Sequence, residues 1–289
     1  MTIDHQRLLD WKIPETRQAY TLRDTIFYAL SVGFGAEPEE PGQVRYTYEK
    51  DLVAVPSMAT TLASPGGWLR DPGTGVNPVG LLAAEQSFEV HRPLPVAGTV
   101  IGKSCVTEVA DLGPERGAAI YTEREVRDER TNELLVTVRA TTVSRKDGGF
   151  GGPPRQSRAR TVMPERAPDH VCDVEAPGNA ALLYRLHNPI DPRHPDMHAD
   201  LELMRKLGHP HPTLHGLYML GVACHALLRA TCDYDAARLR GMSARFSALG
   251  YVGDILRTEM WREGTEVLFQ CRSVQRDKVV LSNGRAMLC

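Results

Sequence analysis

Residues Ala181–His225 read ALLYRLHNPIDPRHPDMHADLELMRKLGHPHPTLHGLYMLGVACH, and two features of this stretch decide the fold. The first is its apolar end. From Leu214 to Leu228 no acidic or basic residue other than histidine appears, and Gly216, Gly221, Ala223 and Ala226 keep the segment slim. A helix that is apolar nearly all round must be covered on most sides, and small residues let a sheet come close. The second feature is what precedes that helix. Leu182–Leu186 reads as a strand entering a loop crowded with Asp and His; a short amphipathic segment follows, and Leu-His-Gly opens the helix. Acid–base side chains thus stand beside the free N–H groups of a helix start, which can hold a developing negative charge. That combination suits proton chemistry next to a carbonyl.

Outward from this stretch, the chain repeats one plan. In the first half Thr21 caps a helix in which Leu22, Ile26, Phe27 and Leu30 recur at helical spacing, and the helix is expected over Thr21–Gly33. Strand-like runs follow at Ser87–His91, Thr99–Val109, Ala118–Val126 and Leu134–Val143. After the second helix come Ala244–Leu249, Ile255–Trp261, Val267–Val274 and Val279–Leu281. Leu134, Val136 and Val138 alternate with Leu135, Thr137 and Arg139 as in a half-buried antiparallel strand, and Asp128–Asn132 reads as the turn of a hairpin. Between the halves lies Lys146–Arg160, KDGGFGGPPRQSRAR, which has no apolar periodicity and reads as a linker. The expected organisation is therefore a unit over residues 1–145, a linker over 146–160 and a second unit over 161–289. The class is α+β: in each unit a sheet of long antiparallel strands curves around one helix.

Bulk properties narrow the function. The 289 residues can bury a full core, and the hydrophobic share of 42% with 24% charged is that of a globular protein. A net charge of −2 gives no electrostatic case for nucleic acid or an acidic membrane. No apolar run approaches the ~18 residues of a membrane span. The N-terminus lacks the pattern of a signal peptide and the C-terminal Ala-Met-Leu-Cys is not a Ser-Lys-Leu address, so a cytoplasmic location is expected. The six cysteines are scattered, with no Cys-x-x-Cys pair, which fits free thiols rather than zinc ligands or a disulfide framework.

Several blocks resemble one family in order along nearly the whole chain. They are Tyr20–Asp24 with Tyr28–Gly33; Leu52–Ala63, LVAVPSMATTLA, which resembles a valine-proline strand; Leu81–Gln86 through Phe88–Pro95, with Ala83-Ala84 where His-Gly is usual; Tyr184-Arg185-Leu186; Leu214-His215-Gly216; and Leu281–Ala286. The chain resembles the 2-enoyl-CoA hydratase 2 proteins, the MaoC-like (R)-specific enoyl-CoA hydratases. The resemblance implies a double hotdog fold, an acyl-CoA or other acyl-thioester substrate, no cofactor, no metal, and a homodimer. It also implies a catalytic second half and a first half that lacks the acid–base block and is widened for the acyl chain. Arg70, Arg92 and Lys103 are candidates for CoA phosphates, or simply solvated surface.

The family's catalytic loop, Tyr-Arg-Leu-Ser-Gly-Asp-x-Asn-Pro-Leu-His-x-Asp, is lengthened here. Aligned back from Gly216 without a gap, the catalytic His falls on His198, and the acid is best placed on Asp191, with Asp196 the second choice. Aligned forward from Arg185, the His falls on His194 and a proline takes the place of the Asp. The first alignment is preferred, because a loop accepts an insertion more readily than the helical segment after it. By resemblance Gly216 supplies the oxyanion N–H. Asp196, two residues before His198, is expected to point away from it if the helical segment already begins there. The implied reaction is hydration of trans-2-enoyl-CoA to (R)-3-hydroxyacyl-CoA or its reversal. The alternatives are a dehydratase for an unusual secondary-metabolite thioester and a non-catalytic acyl-thioester binding protein. The His-rich loop also invites a metal reading, but it lacks the His-Glu-x-x-His pattern.

Overall fold

The computed structural model describes residues 3–154, 161–188 and 196–289. Five strands come from the first half: β1 (Thr16–Tyr20), β2 (Leu81–Val90), β3 (Gly98–Asp111), β4 (Ala118–Asp128) and β5 (Leu134–Ser144). The second half gives β6 (His170–Glu175), β7 (Leu239–Phe246), β8 (Ile255–Glu263), β9 (Glu266–Ser273) and β10 (Lys278–Leu288). All join one antiparallel sheet of ten strands in the order β1-β3-β4-β5-β2-β7-β10-β9-β8-β6. The seam is β2 against β7, with Glu85 opposite Arg245 and Glu89 opposite Gly241. The β4–β5 hairpin turns at Asp128, whose Oδ1 accepts from the N–H groups of Arg130 and Thr131, while Asn132 takes the left-handed φ of 59°.

Among the described residues six α-helices accompany the sheet: α1 (His5–Leu9), α2 (Leu22–Ser31), α3 (Pro41–Val44), α4 (Ala180–Tyr184), α5 (Leu201–Lys206) and α6 (Gly216–Thr231). α6 lies across β6, β7, β8 and β10 and is buried from Tyr218 through Leu228, as its apolar composition requires. It meets α2 at Gly221, where an added Cβ would stand 2.7 Å from Val32 and 3.1 Å from the Tyr28 hydroxyl. Only glycine allows that approach. One core runs through both halves, joining Tyr28, Val136, Leu220 and Phe269.

Local readings differ from the structure in four places. Leu182–Leu186 is not a strand but α4 followed by a single turn at Arg185–His187. The alanines favour a helix, and burial follows its period: Ala181 and Tyr184 are covered while Leu182 and Leu186 are exposed. Leu52–Ala63 is not a strand either. Pro56–Thr60 coils into a buried turn whose carbonyls are taken by the hydroxyls of Thr60 and Thr61 and by the Arg124 guanidinium, so no sheet ladder remains for them. In α2 the covered face is Thr25, Tyr28 and Ala29, whereas Leu22 and Leu30 stand 40% and 50% exposed, so the apolar spacing picked the wrong face. Finally, residues 146–154 are fastened down. Asp147 is buried and accepts from Ser144 and the Asn77 N–H, and Asp111 accepts from the N–H groups of Gly149 and Gly151. Glycine and charge there serve tight turns and carboxylate anchors.

Candidate active site

Between α4 and α5 the chain makes a turn at Asp196–Asp200. The Asp196 carbonyl accepts from the N–H of Ala199 and Asp200, and its Oδ1 accepts from the N–H of His198 at 2.9 Å. This self-bonded turn answers the expectation that Asp196 would point away from His198. The helix starts later, at Leu201, with Asp200 as its cap, so the helical angle between residues 196 and 198 does not apply. Both side chains stay on one side.

Three further elements close the site. After the turn at Arg185–His187, Asp196 Oδ2 accepts from Arg185 Nε at 3.2 Å. Thr213, in the strap returning from α5, is buried, and its carbonyl lies 2.9 Å from His198 Nδ1. A carbonyl only accepts, so Nδ1 carries the proton and Nε2 keeps its lone pair. His215, the residue before α6, stacks its ring on His198 with centroids 3.6 Å apart. Its side chain makes no capping hydrogen bond, so the first N–H groups of α6, beginning with Gly216, are left to other partners. Phe246 packs where a Gly216 side chain would be, with its ring 3.0 Å from the Cβ position.

The electrostatics follow from half-burial. Burial pushes His198 below the ordinary imidazole value, against the opposing pull of the Thr213 carbonyl and Asp196. His215 is driven down to about 3, by burial and by the neighbouring His198. Burial alone would raise Asp196, but the His198 N–H, the two imidazoles and Arg185 outweigh it and hold the carboxyl below its usual range. At neutral pH the site therefore holds a carboxylate beside two neutral imidazoles. Asp196, His198 and His215 present ligand atoms within 4.8 Å of one another. The stacking sets the two rings face to face, and His198 Nδ1 is committed to Thr213. That arrangement serves proton transfer better than a tetrahedral metal shell.

Asp191 and His194 lie outside the described residues. Of the remaining histidines, His187 bonds Ser31 of α2 at 3.0 Å and packs on Phe27, Tyr28 and Tyr184. His209 and His211 gather about Tyr251 instead. Arg92 and Lys103 sit in exposed pairs with Glu133 and Glu15. Sequence reading missed the parts of Arg185 and Thr213, although Arg185 was within a matched block. Its neighbour across the turn could not be inferred from spacing. A cavity of about 170 Å³ opens beside Leu217, at the start of α6, and runs into the first half along the strands. A wider open cleft, about 1330 Å³, crosses the sheet near Tyr121, Arg139 and Arg245, and none of Asp196, His198 and His215 lines either space.

A continuous sheet wrapped about a buried helix, with an acid–imidazole turn facing that helix's open N-terminus, defines the double hotdog hydratase and dehydratase class. The comparisons agree. Residues 18–146 match the MFE-2 hydratase 2 N-terminal domain, and residues 153–284 match the MaoC-like domain. Peroxisomal enoyl-CoA hydratase 2 of Arabidopsis thaliana is 34% identical over 95% of this chain and 92% of its own length. Enoyl-CoA hydratase ChsH3 of Mycobacterium tuberculosis is 30% identical, with 98% of each chain covered. The crystal structure of a MaoC-like dehydratase from Phytophthora capsici superposes with a TM-score of 0.85 at 29% identity, covering 98% of each chain. A further M. tuberculosis protein, described as a double hotdog, shares the fold at a TM-score of 0.54 and 15% identity over 100% of this chain and 96% of that one. The chain belongs to the enoyl-CoA hydratase 2 family of MaoC-like proteins.

Proposed function

We propose that this chain is a hydro-lyase that adds water to trans-2-enoyl-CoA to give (R)-3-hydroxyacyl-CoA, and runs the reverse dehydration. The observation that carries the reading is the Asp196–His198 pair, held by one turn in front of the uncapped start of α6. His198 Nε2 and the Asp196 carboxylate grip a water between them. As the water oxygen bonds to Cβ, the pair takes a proton from it. The π electrons move toward the thioester, whose oxygen gains enolate charge and is met by the Gly216 N–H. A proton from the pair then goes to Cα, so the sum is one water added and no net proton change. Each such proton-transfer group contributes ~10²–10⁴-fold. In this reading Asp196 takes the role that sequence alignment preferred to give Asp191.

The rest of the reading is coarser. Among the described residues no helix is long and apolar enough to cross a membrane. The cysteines are all free thiols, which supports a cytoplasmic setting. A homodimer is the expected assembly and light scattering would measure it. Hydration of crotonyl-CoA, followed as loss of enoyl absorbance with chiral analysis of the product, tests the reaction. No turnover, or an (S) product, would overturn it.

A further inference from the structure

The cavity beside Leu217 is not lined as a hydrocarbon tunnel. Strand register sets its floor: Thr122 lies opposite Ala140, which lies opposite Gln86, and in the next row Ser104 lies opposite Arg124, which lies opposite Val138. Arg124 is only 9% exposed. Its Nη2 donates to the carbonyls of Ala59 and Thr60, but its Nε is buried without a partner, and so is the hydroxyl of Ser104 beside it. Among the described residues no carboxylate pairs with Arg124. Glu123, also at the wall, turns to Arg139 at 2.7 Å. Burial lowers the Arg124 pKa only to about 10, so the guanidinium is charged at neutral pH. A buried, unpaired cation is costly to keep unless something answers it.

We propose that Arg124 and Ser104 form a specificity site for an acyl chain that ends in a carboxylate, so that the preferred substrate is an ω-carboxy-2-enoyl thioester rather than a simple alkyl one. The proposal rests on the hydratase reading of the adjoining site. Geometry gives the reach. Leu217, the residue after Gly216, and Arg124 both line the cavity, which from Gln86 on β2 to Arg124 on β4 is two strand spacings wide, about 10 Å. A medium-length chain spans that distance, whereas a crotonyl chain is too short to cross it. The carboxylate would meet the Arg124 guanidinium and the Ser104 hydroxyl at the cavity wall, after a side-chain shift that opens their buried Nε–H and Oγ, a charge-assisted arrangement that a terminal methyl leaves unanswered.

The test compares matched pairs of trans-2-enoyl-CoA esters, alike in length and ending in methyl or carboxylate. At the best length the wild-type protein should favour the carboxylate by about 10⁴-fold in kcat/KM, the scale on which sites with buried polar groups reject analogues that leave them unpaired. Arg124→Leu should bring that ratio down toward one, and Arg124→Lys should restore part of it. Equal or better turnover of the methyl chain at every length overturns the proposal, as does a preference that survives in Arg124→Leu. If that variant fails to fold, the wild-type ratio and Arg124→Lys still decide. Failure of crotonyl-CoA hydration would instead fall on the hydratase reading. The preference stays measurable apart from turnover, as calorimetric binding of the saturated ω-carboxy and alkyl CoA esters.

Discussion

α2 and α6 stand in matching places in the two halves, yet their N-termini are finished in opposite ways. At α2, Asp24 closes the first turn on itself: its carboxylate accepts from both the N–H and the hydroxyl of Thr21. At α6, His215 offers no side-chain cap and instead stacks on His198, and Leu217 in the first turn lines a cavity. A self-capped helix end has already spent its positive pole on a resident anion. An uncapped one can spend it on an anion that forms during reaction. The loops differ to match. The acid–imidazole turn precedes α6, while the first half offers the cavity and its buried arginine. In the proposed reading one half holds the chemistry and the other reads the chain.

The largest effect expected from breaking this contrast is at His198. His198→Ala removes both the proton carrier and the partner of the His215 ring, and turnover should fall ~10²–10⁴-fold. Hydration kinetics with a thermal melt separate loss of catalysis from loss of fold. Near-normal turnover would move the chemistry elsewhere on the loop. Asp196→Asn comes next. The amide oxygen can still accept from the His198 N–H, so the turn survives while the base is lost. Hydration should drop ~10²-fold or more with product-CoA affinity retained. Asp191→Asn should stay within a few-fold of wild type. A dead Asp191→Asn beside an active Asp196→Asn would return the acid to Asp191.

Much of this was legible beforehand, and its limits are instructive. Strand positions could be read because alternation and turn residues are local signals, as at Asp128–Asn132. α6 could be read because an apolar helix has few other fates. What could not be read depended on tertiary neighbours. Leu22 and Leu30 make α2 look amphipathic on the wrong face, since the covered side is set by Tyr28 meeting Tyr184 and Ser57. Pro56–Thr60 carries strand-like valines before it but yields its carbonyls to Arg124, far away in sequence. Within the candidate site, a gapless alignment proposes His198 and Gly216. The nearness of Asp196 to His198 could not be read, because a two-residue spacing points apart on a helix and together on a self-bonded turn.

Acid should attack the junction between the halves before the rest. His187 and His225, both touching the α2 end, are pushed by burial to about 4, and His215 to about 3. Unfolded, each would titrate near 6.5. Between those values the unfolded chain binds more protons than the folded one, so stability is full above about 6.5 and declines as pH falls toward 4. The thermal midpoint should drop over that window. A triple variant with His187, His215 and His225 replaced by Gln should show a shallower drop. A flat midpoint from pH 7 to pH 4 in the wild type would contradict the neutral, buried assignment.

The smallest effect, and the one that sharpens the contrast most, is at the other helix start. Asp24→Asn keeps the side-chain size but weakens both bonds to Thr21 and removes the negative charge from the positive end of α2. The loss should be about 1 kcal/mol, the usual worth of a helix cap. That loss belongs to folding alone, because α2 begins outside the cavity and its N–H groups face no substrate in this reading. The hydration rate at saturating crotonyl-CoA should therefore stay at the wild-type level while the denaturant midpoint moves. If kcat fell with the cap instead, the first helix would be taking part in the chemistry. The division of labour between a closed and an open helix start would then be wrong.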